Sequence, residues 1–201
     1  LLDAAQGRVV GANMVEPGTG INCPCPKCSS EHRQTLQAIP VKEKNAEKIA
    51  QAAIKYAFLK VGVGKDVIFD FEKSISFDGD TGPYLLYVYA RGNSLLKDSD
   101  FKNLGNLCVG SCLENPYTKE LLRQISKYRD SVLNSGIGYS PSILCQYLFD
   151  LGQEFNNFYQ NVRILDAQDD DRVFLLSLVE ATMVTMKEGL NLLGIEVVDK
   201  M

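Results

Sequence analysis

Apolar positions recur at helical spacing over most of the chain. The clearest row is Leu176, Val179, Met183, Met186, Leu190 and Leu193, at steps of three and four. That is the buried stripe of a bundle helix. Its start follows the acidic run LDAQDDD, whose carboxylates suit the positive end of the helix dipole, and Gly194 stops it. A second row, Leu144, Tyr147, Leu148, Leu151, Phe155 and Phe158, predicts a helix opening at Ser140-Pro141. Asn115-Pro116 opens a third, through Leu121, Leu122, Ile125 and Tyr128 to about Leu133, with NSGIGYSPS as the loop after it.

Nearer the start, EKNAEKIAQAAIKYAFLK combines strong helix formers with Ile49, Ala53, Tyr56 and Ala57 on one face, and the glycines of VGVGK end it. DVIFDFEKSISF alternates Val67, Phe69 and Phe71 with polar neighbours and predicts a short extended segment. Residues 7–41 show no sustained period and read as loop. The pattern thus predicts a mostly α fold: a helical bundle over 43–201 preceded by an irregular Cys-rich segment over 1–42.

Between the extended segment and the bundle lies FDGDTGPYLLYVYAR, residues 77–91. Pro83 suits a first helical position, with Thr81 or Gly82 as the cap. On a wheel of roughly 100° per residue, Tyr84, Tyr87, Val88 and Arg91 share one face, and Leu85, Tyr89 and Leu96 a more apolar one. Phenol rings beside a guanidinium suit stacking on an unstacked base with a contact to phosphate or base edge. Tyrosines filling an interhelical groove, with Arg91 paired to an acid, fit the same pattern.

Composition narrows the choice. Hydrophobic residues make 45% and charged residues 23% of 201, and no apolar run approaches a membrane span. The chain begins LLDAAQGRVV, without initiator methionine or signal pattern, and reads as a piece of a longer intracellular, cytoplasmic protein. Residues 1–60 carry 8 basic and 5 acidic side chains, and residues 61–201 carry 13 and 20. A net −7 over the larger part excludes bulk counterion release as the source of nucleic-acid affinity, which argues against DNA. Local stacking and hydrogen bonding to RNA stay open.

Cys23, Cys25, Cys28 and His32 form C-x-C-x₂-C-x₃-H, four ligands of the kind a structural zinc takes. The C-x-C step is tighter than usual, so an unliganded thiol loop is the competing reading. Cys108 and Cys112 are alternative completing ligands, and Cys145, among apolar helix residues, reads as a small buried hydrophobe. DAQDDD lacks the spacing of a calcium loop.

Four ordered blocks, AIKYAFLK, VIFDFEKSISFDGDTGPYLLYVYAR, YLFDLGQEFNNFYQNVRIL and EGLNLLGIEVVDKM, resemble the C-terminal part of arginyl-tRNA synthetases, over about 43–201. That part holds the all-helical anticodon-binding domain named for an Asp-Ala-Leu-Arg motif. The resemblance implies recognition of tRNA(Arg), with Tyr84, Tyr87 and Arg91 on anticodon bases and phosphates. Gly79, Asp80, Thr81 and Gly82 would shape that surface, Tyr159 and Asn157 would approach from a neighbouring helix, and the chain end at Met201 would lie alongside. Helix-surface or interhelical packing is the alternative for Asn157 and Tyr159.

The family's ATP, magnesium and arginine sites belong to a catalytic domain whose His-x-Gly-His and Lys-Met-Ser-Lys-type blocks are absent here. By the resemblance this stretch is a non-catalytic part of an arginine–tRNA ligase. A detached scaffold module of the same ancestry, or the corresponding domain of a cysteinyl or glycyl enzyme, are the competing expectations.

Overall fold

The computed structural model describes residues 9–10, 13–14, 43–99, 111–167 and 169–199. Seven α-helices are described: α1 Glu43–Leu59, α2 Phe71–Ser74, α3 Gly82–Asp98, α4 Pro116–Ser126, α5 Tyr128–Ile137, α6 Pro141–Asn161 and α7 Asp169–Leu192. One 3₁₀ turn, Ser111–Glu114, precedes α4. In the stretch expected to be loop, β1 Val9–Val10 pairs antiparallel with β2 Asn13–Met14, with Val9 opposite Met14.

The core lies where α3 and α6 run through the bundle. Helix α3 packs on α1 and α7, and α6 packs on α4, α5 and α7 as well as on α3. All six members of the α7 row and all six of the α6 row are buried. Burial of such side chains, worth roughly 1.5–3 kcal/mol each before entropy is counted, is what the three-and-four spacing encodes. Cys145 is buried on α6, as its apolar neighbours suggested, and burial pushes its thiol up to about 12.

Two expectations change. Helix α4 does not run unbroken to Leu133: it stops at Ser126, turns at Lys127, and α5 continues through Ile137 into what read as loop. Helix α5 has no buried residue, so no apolar row announces it. Residues 66–70 form no strand, and Phe71–Ser74 make one helical turn capped by the Asp70 carboxylate, which accepts from the Lys73 amide at 3.1 Å. Ile68 is 92% exposed, and the Phe69 ring stacks on Phe58 at 6.0 Å. Alternation there reflects an irregular, half-exposed turn, not a ladder.

Close approach of α1 and α3 depends on Gly82. A Cβ at that position would overlap the backbone carbonyl of Ala52. Gly136, on the outer helix α5, has nothing within 4 Å of the equivalent point. Gly82→Ala is therefore expected to lower unfolding free energy by about 1–3 kcal/mol, because the obstructing atom is backbone. Gly136→Ala is expected to raise it by about 0.5–1 kcal/mol through helix propensity. Denaturant titration of both variants checks the pair.

Burial raises the phenol pKa values of Tyr56, Tyr84, Tyr89, Tyr128 and Tyr147. The unfolded chain ionises these groups near pH 10 while the folded chain holds their protons. Above about pH 10 the folded state binds more protons than the unfolded one, so stability falls as pH rises further. The expected outcome is alkaline unfolding that coincides with a late-ionising set of tyrosines in near-ultraviolet absorbance. Early, non-cooperative ionisation of every tyrosine would contradict it.

Candidate nucleic-acid interface

The turn before α3 is built by its own side chains. Gly79 has φ +85°, a conformation that disfavours any side chain. Thr81 caps α3: its hydroxyl accepts from the Tyr84 amide at 3.2 Å and donates to the Ser76 carbonyl at 2.6 Å. Asp80 is held from two sides. The Tyr56 hydroxyl donates to its carboxylate at 2.5 Å, and the Lys60 ammonium lies 3.4 Å from its other oxygen. Gly79, Asp80, Thr81 and Gly82 thus set where α3 begins. Their polar groups are spent on that task, and Gly79 alone of the four is exposed.

From that start, α3 turns one arc inward and one outward. Val88 is fully buried. Tyr84, on the edge of the buried arc, is half-buried, with its ring 5.8 Å from Phe149 of α6. The Asn156 amide donates to its hydroxyl at 2.9 Å. Tyr84 is therefore a contact between helices and faces α6. Tyr87, one turn further round, is 41% exposed.

Arg91 lies over the Tyr159 ring of α6, its guanidinium carbon 4.0 Å from the ring centroid. Such a contact is worth roughly 0.5–1 kcal/mol at an exposed site. A guanidinium nitrogen of Arg91 also donates to the Asn156 side-chain oxygen at 3.5 Å. No carboxylate pairs with Arg91 among the described residues.

These groups line an open groove of about 380 Å³. Tyr87, Arg91, Ser94 and Asp98 form its α3 wall, and Tyr159 and Leu165 face them. A second cleft of about 420 Å³, between α4, α5 and α6, has Tyr147 as its only ring, and that ring is buried. Of these two, the first groove joins an exposed ring to a cation that has no carboxylate partner among the described residues.

Of the residues read from sequence, Tyr87, Arg91 and Tyr159 meet at this groove. Asn157 stands at the exposed surface of α6, its carbonyl accepting from Asn161 at 2.8 Å. Asn156 is the amide that reaches the site, and the wheel of α3 alone held no sign of it. Its position one turn before Tyr159 in FNNFY is the signal a two-helix reading would have used. Met201, Cys23, Cys25, Cys28, His32 and Cys108 lie outside the described residues. Cys112 falls in the 3₁₀ turn, and no cluster of His, Cys, Asp or Glu able to hold a metal occurs among the described residues.

The tail approaching Met201 is pinned. Gly194, at φ +70°, reverses the chain and buries Ile195 and Val198. The Lys55 ammonium donates to the Gly194 carbonyl, Lys48 pairs with Glu196 at 3.0 Å, and the Asn93 amide donates to the Asp199 carboxylate at 3.2 Å. The last described residue is thereby fixed to α3.

The DALR anticodon binding domain family matches residues 85–201, more than half of the chain and all of α3 beyond Tyr84. The chain belongs to this anticodon-binding family. Among curated relatives, the arginine–tRNA ligase of Clostridium beijerinckii is 39% identical over 165 residues, covering 80% of this chain and 28% of the relative. That of Flavobacterium psychrophilum is 37% identical over 154 residues, covering 76% and 25%.

Among solved structures, Thermus thermophilus arginyl-tRNA synthetase superposes with a TM-score of 0.73 at 32% identity, over 81% of this chain and 28% of that one. The Plasmodium falciparum enzyme gives 0.70 at 25%, over 79% and 28%. The chain thus spans about a quarter of the length of each of these relatives.

Removal of the Thr81 hydroxyl strips the cap from α3. Thr81→Ala is expected to cost about 1–2 kcal/mol of stability and Thr81→Ser to restore most of it, as read by denaturant unfolding.

Proposed function

We propose that the groove between α3 and α6 reads the anticodon of tRNA(Arg), as the anticodon-binding part of an arginine–tRNA ligase. One observation carries this reading. An exposed Tyr87 ring stands beside an Arg91 cation that stacks on Tyr159 and has no carboxylate partner among the described residues. An unstacked base takes stacking energy from rings whatever its sequence, and the guanidinium supplies a charged donor for phosphate or base edge. Affinity then comes from a local platform, which suits an acidic chain.

The relatives' name supplies the arginine–tRNA ligation, and the family resemblance of the sequence supplies the rest of the proposal. Attachment of arginine with ATP and magnesium belongs to the part of such enzymes outside this chain, and this chain contributes tRNA choice and orientation in the cytoplasm. No described helix is long and apolar enough to cross a membrane.

The test is binding of the 201-residue chain to a synthetic anticodon stem-loop of an arginine tRNA. Tyr87→Ala and Arg91→Gln are each expected to weaken binding by about 1–3 kcal/mol, roughly 5- to 150-fold. Melting temperature should change little for Tyr87→Ala, since its side chain is exposed. Wild-type affinity in both folded variants would overturn the proposal.

A further inference from the structure

The amide of Asn156 stands where a carboxylate would be expected. Its oxygen faces Arg91 at 3.5 Å, and its nitrogen donates to the Tyr84 hydroxyl at 2.9 Å. The orientation is forced, because a guanidinium has donors only and so must meet the oxygen of the amide. Tyr84 in turn is fixed by the Phe149 ring. Asn156 therefore holds Arg91 over Tyr159 from a rigid base while adding no charge.

An aspartate of the same shape would hold both partners equally well. It would accept from the Tyr84 hydroxyl and form an ion pair with Arg91. That pair would be the more stable arrangement for the isolated chain. It would also neutralise Arg91, the one cation among the described residues that line the groove, and Asp98 already stands on the same wall. We infer that Asn156 is a positioning and specificity-determining residue that keeps Arg91 oriented yet electrostatically unspent, so that its charge is available to an RNA phosphate. This rests on the proposed reading of the groove and adds to it the phosphate as the group that Arg91 takes.

Stability and binding should therefore move in opposite directions. Asn156→Asp is expected to melt at or above the wild-type temperature and to bind the arginine-tRNA anticodon stem-loop roughly tenfold or more weakly. Its dependence of log affinity on log salt should be shallower by about 0.7, the loss of one single-strand phosphate contact. Asn156→Ala leaves the cation free but unpositioned and should lose less affinity than Asn156→Asp. Arg91→Gln should show the same reduced slope, and adding Asn156→Asp to it should cause no further loss.

Wild-type affinity and slope in Asn156→Asp, with Arg91→Gln still impaired, would overturn this inference and leave the groove's function standing. A loss in Asn156→Ala as large as in Asn156→Asp would overturn it too, since charge would then be irrelevant. Full affinity in Arg91→Gln would overturn the reading of the groove itself, and this inference with it.

Discussion

One phenol joins three parts of the bundle. Tyr56, fully buried on α1, places its hydroxyl 2.5 Å from the Asp80 carboxylate and 3.0 Å from the Cys145 carbonyl of α6. Burial makes the neutral phenol strongly preferred, so the donor is kept at any ordinary pH. The contact fixes the turn from which α3 springs, relative to both α1 and α6. Everything outward of it follows from helix geometry. Once Thr81 caps α3 there, Tyr84 must meet α6, Val88 must enter the core, and Tyr87 and Arg91 must line the groove.

The chain carries four more acidic than basic charges, yet it belongs to an anticodon-binding family. The two facts are reconciled by scale. A field summed over the surface repels phosphate, but screening confines that repulsion to roughly 10 Å at moderate salt. On the proposed reading, a guanidinium over a ring and an exposed phenol outweigh it locally inside the groove. Such a site gains selectivity from the same arrangement, because sequence-blind attraction to any polyanion is weak. Three lysines at the tail, Lys48, Lys55 and Lys97, are already engaged with Glu196, the Gly194 carbonyl and Asp199.

How much of this was legible in the sequence varied with burial. The rows of α6 and α7 were readable residue by residue, since each position enters the core. The 77–91 stretch disclosed its cap and its start, because Thr-Gly-Pro has a local mechanism. Helix α5 was not legible as a separate element: its first residues read as the end of α4, it has no fully buried side chain, and its ten residues include Gly136. Exposed residues 66–71 alternated without any strand to pair with.

A single-helix wheel grouped Tyr84 with Tyr87, because it cannot know that α6 packs against the first and leaves an open groove beside the second. The same limit hid Asn156, whose role exists only between two helices, while the resemblance had pointed to its exposed neighbour Asn157. Sequence therefore disclosed the long buried helices and most of the ring set, while the contact that orients the cation required the fold.

On the proposed reading, RNA is met by Tyr87, Arg91 and Tyr159 together. Nuclear magnetic resonance tests it most directly, following the Arg91 side-chain N–H and the two tyrosine rings during titration with an arginine-tRNA anticodon stem-loop. All three are expected to respond with one saturation curve while the buried Tyr56 ring stays put. Binding that leaves those three signals unmoved, and shifts residues elsewhere on the bundle, would contradict it.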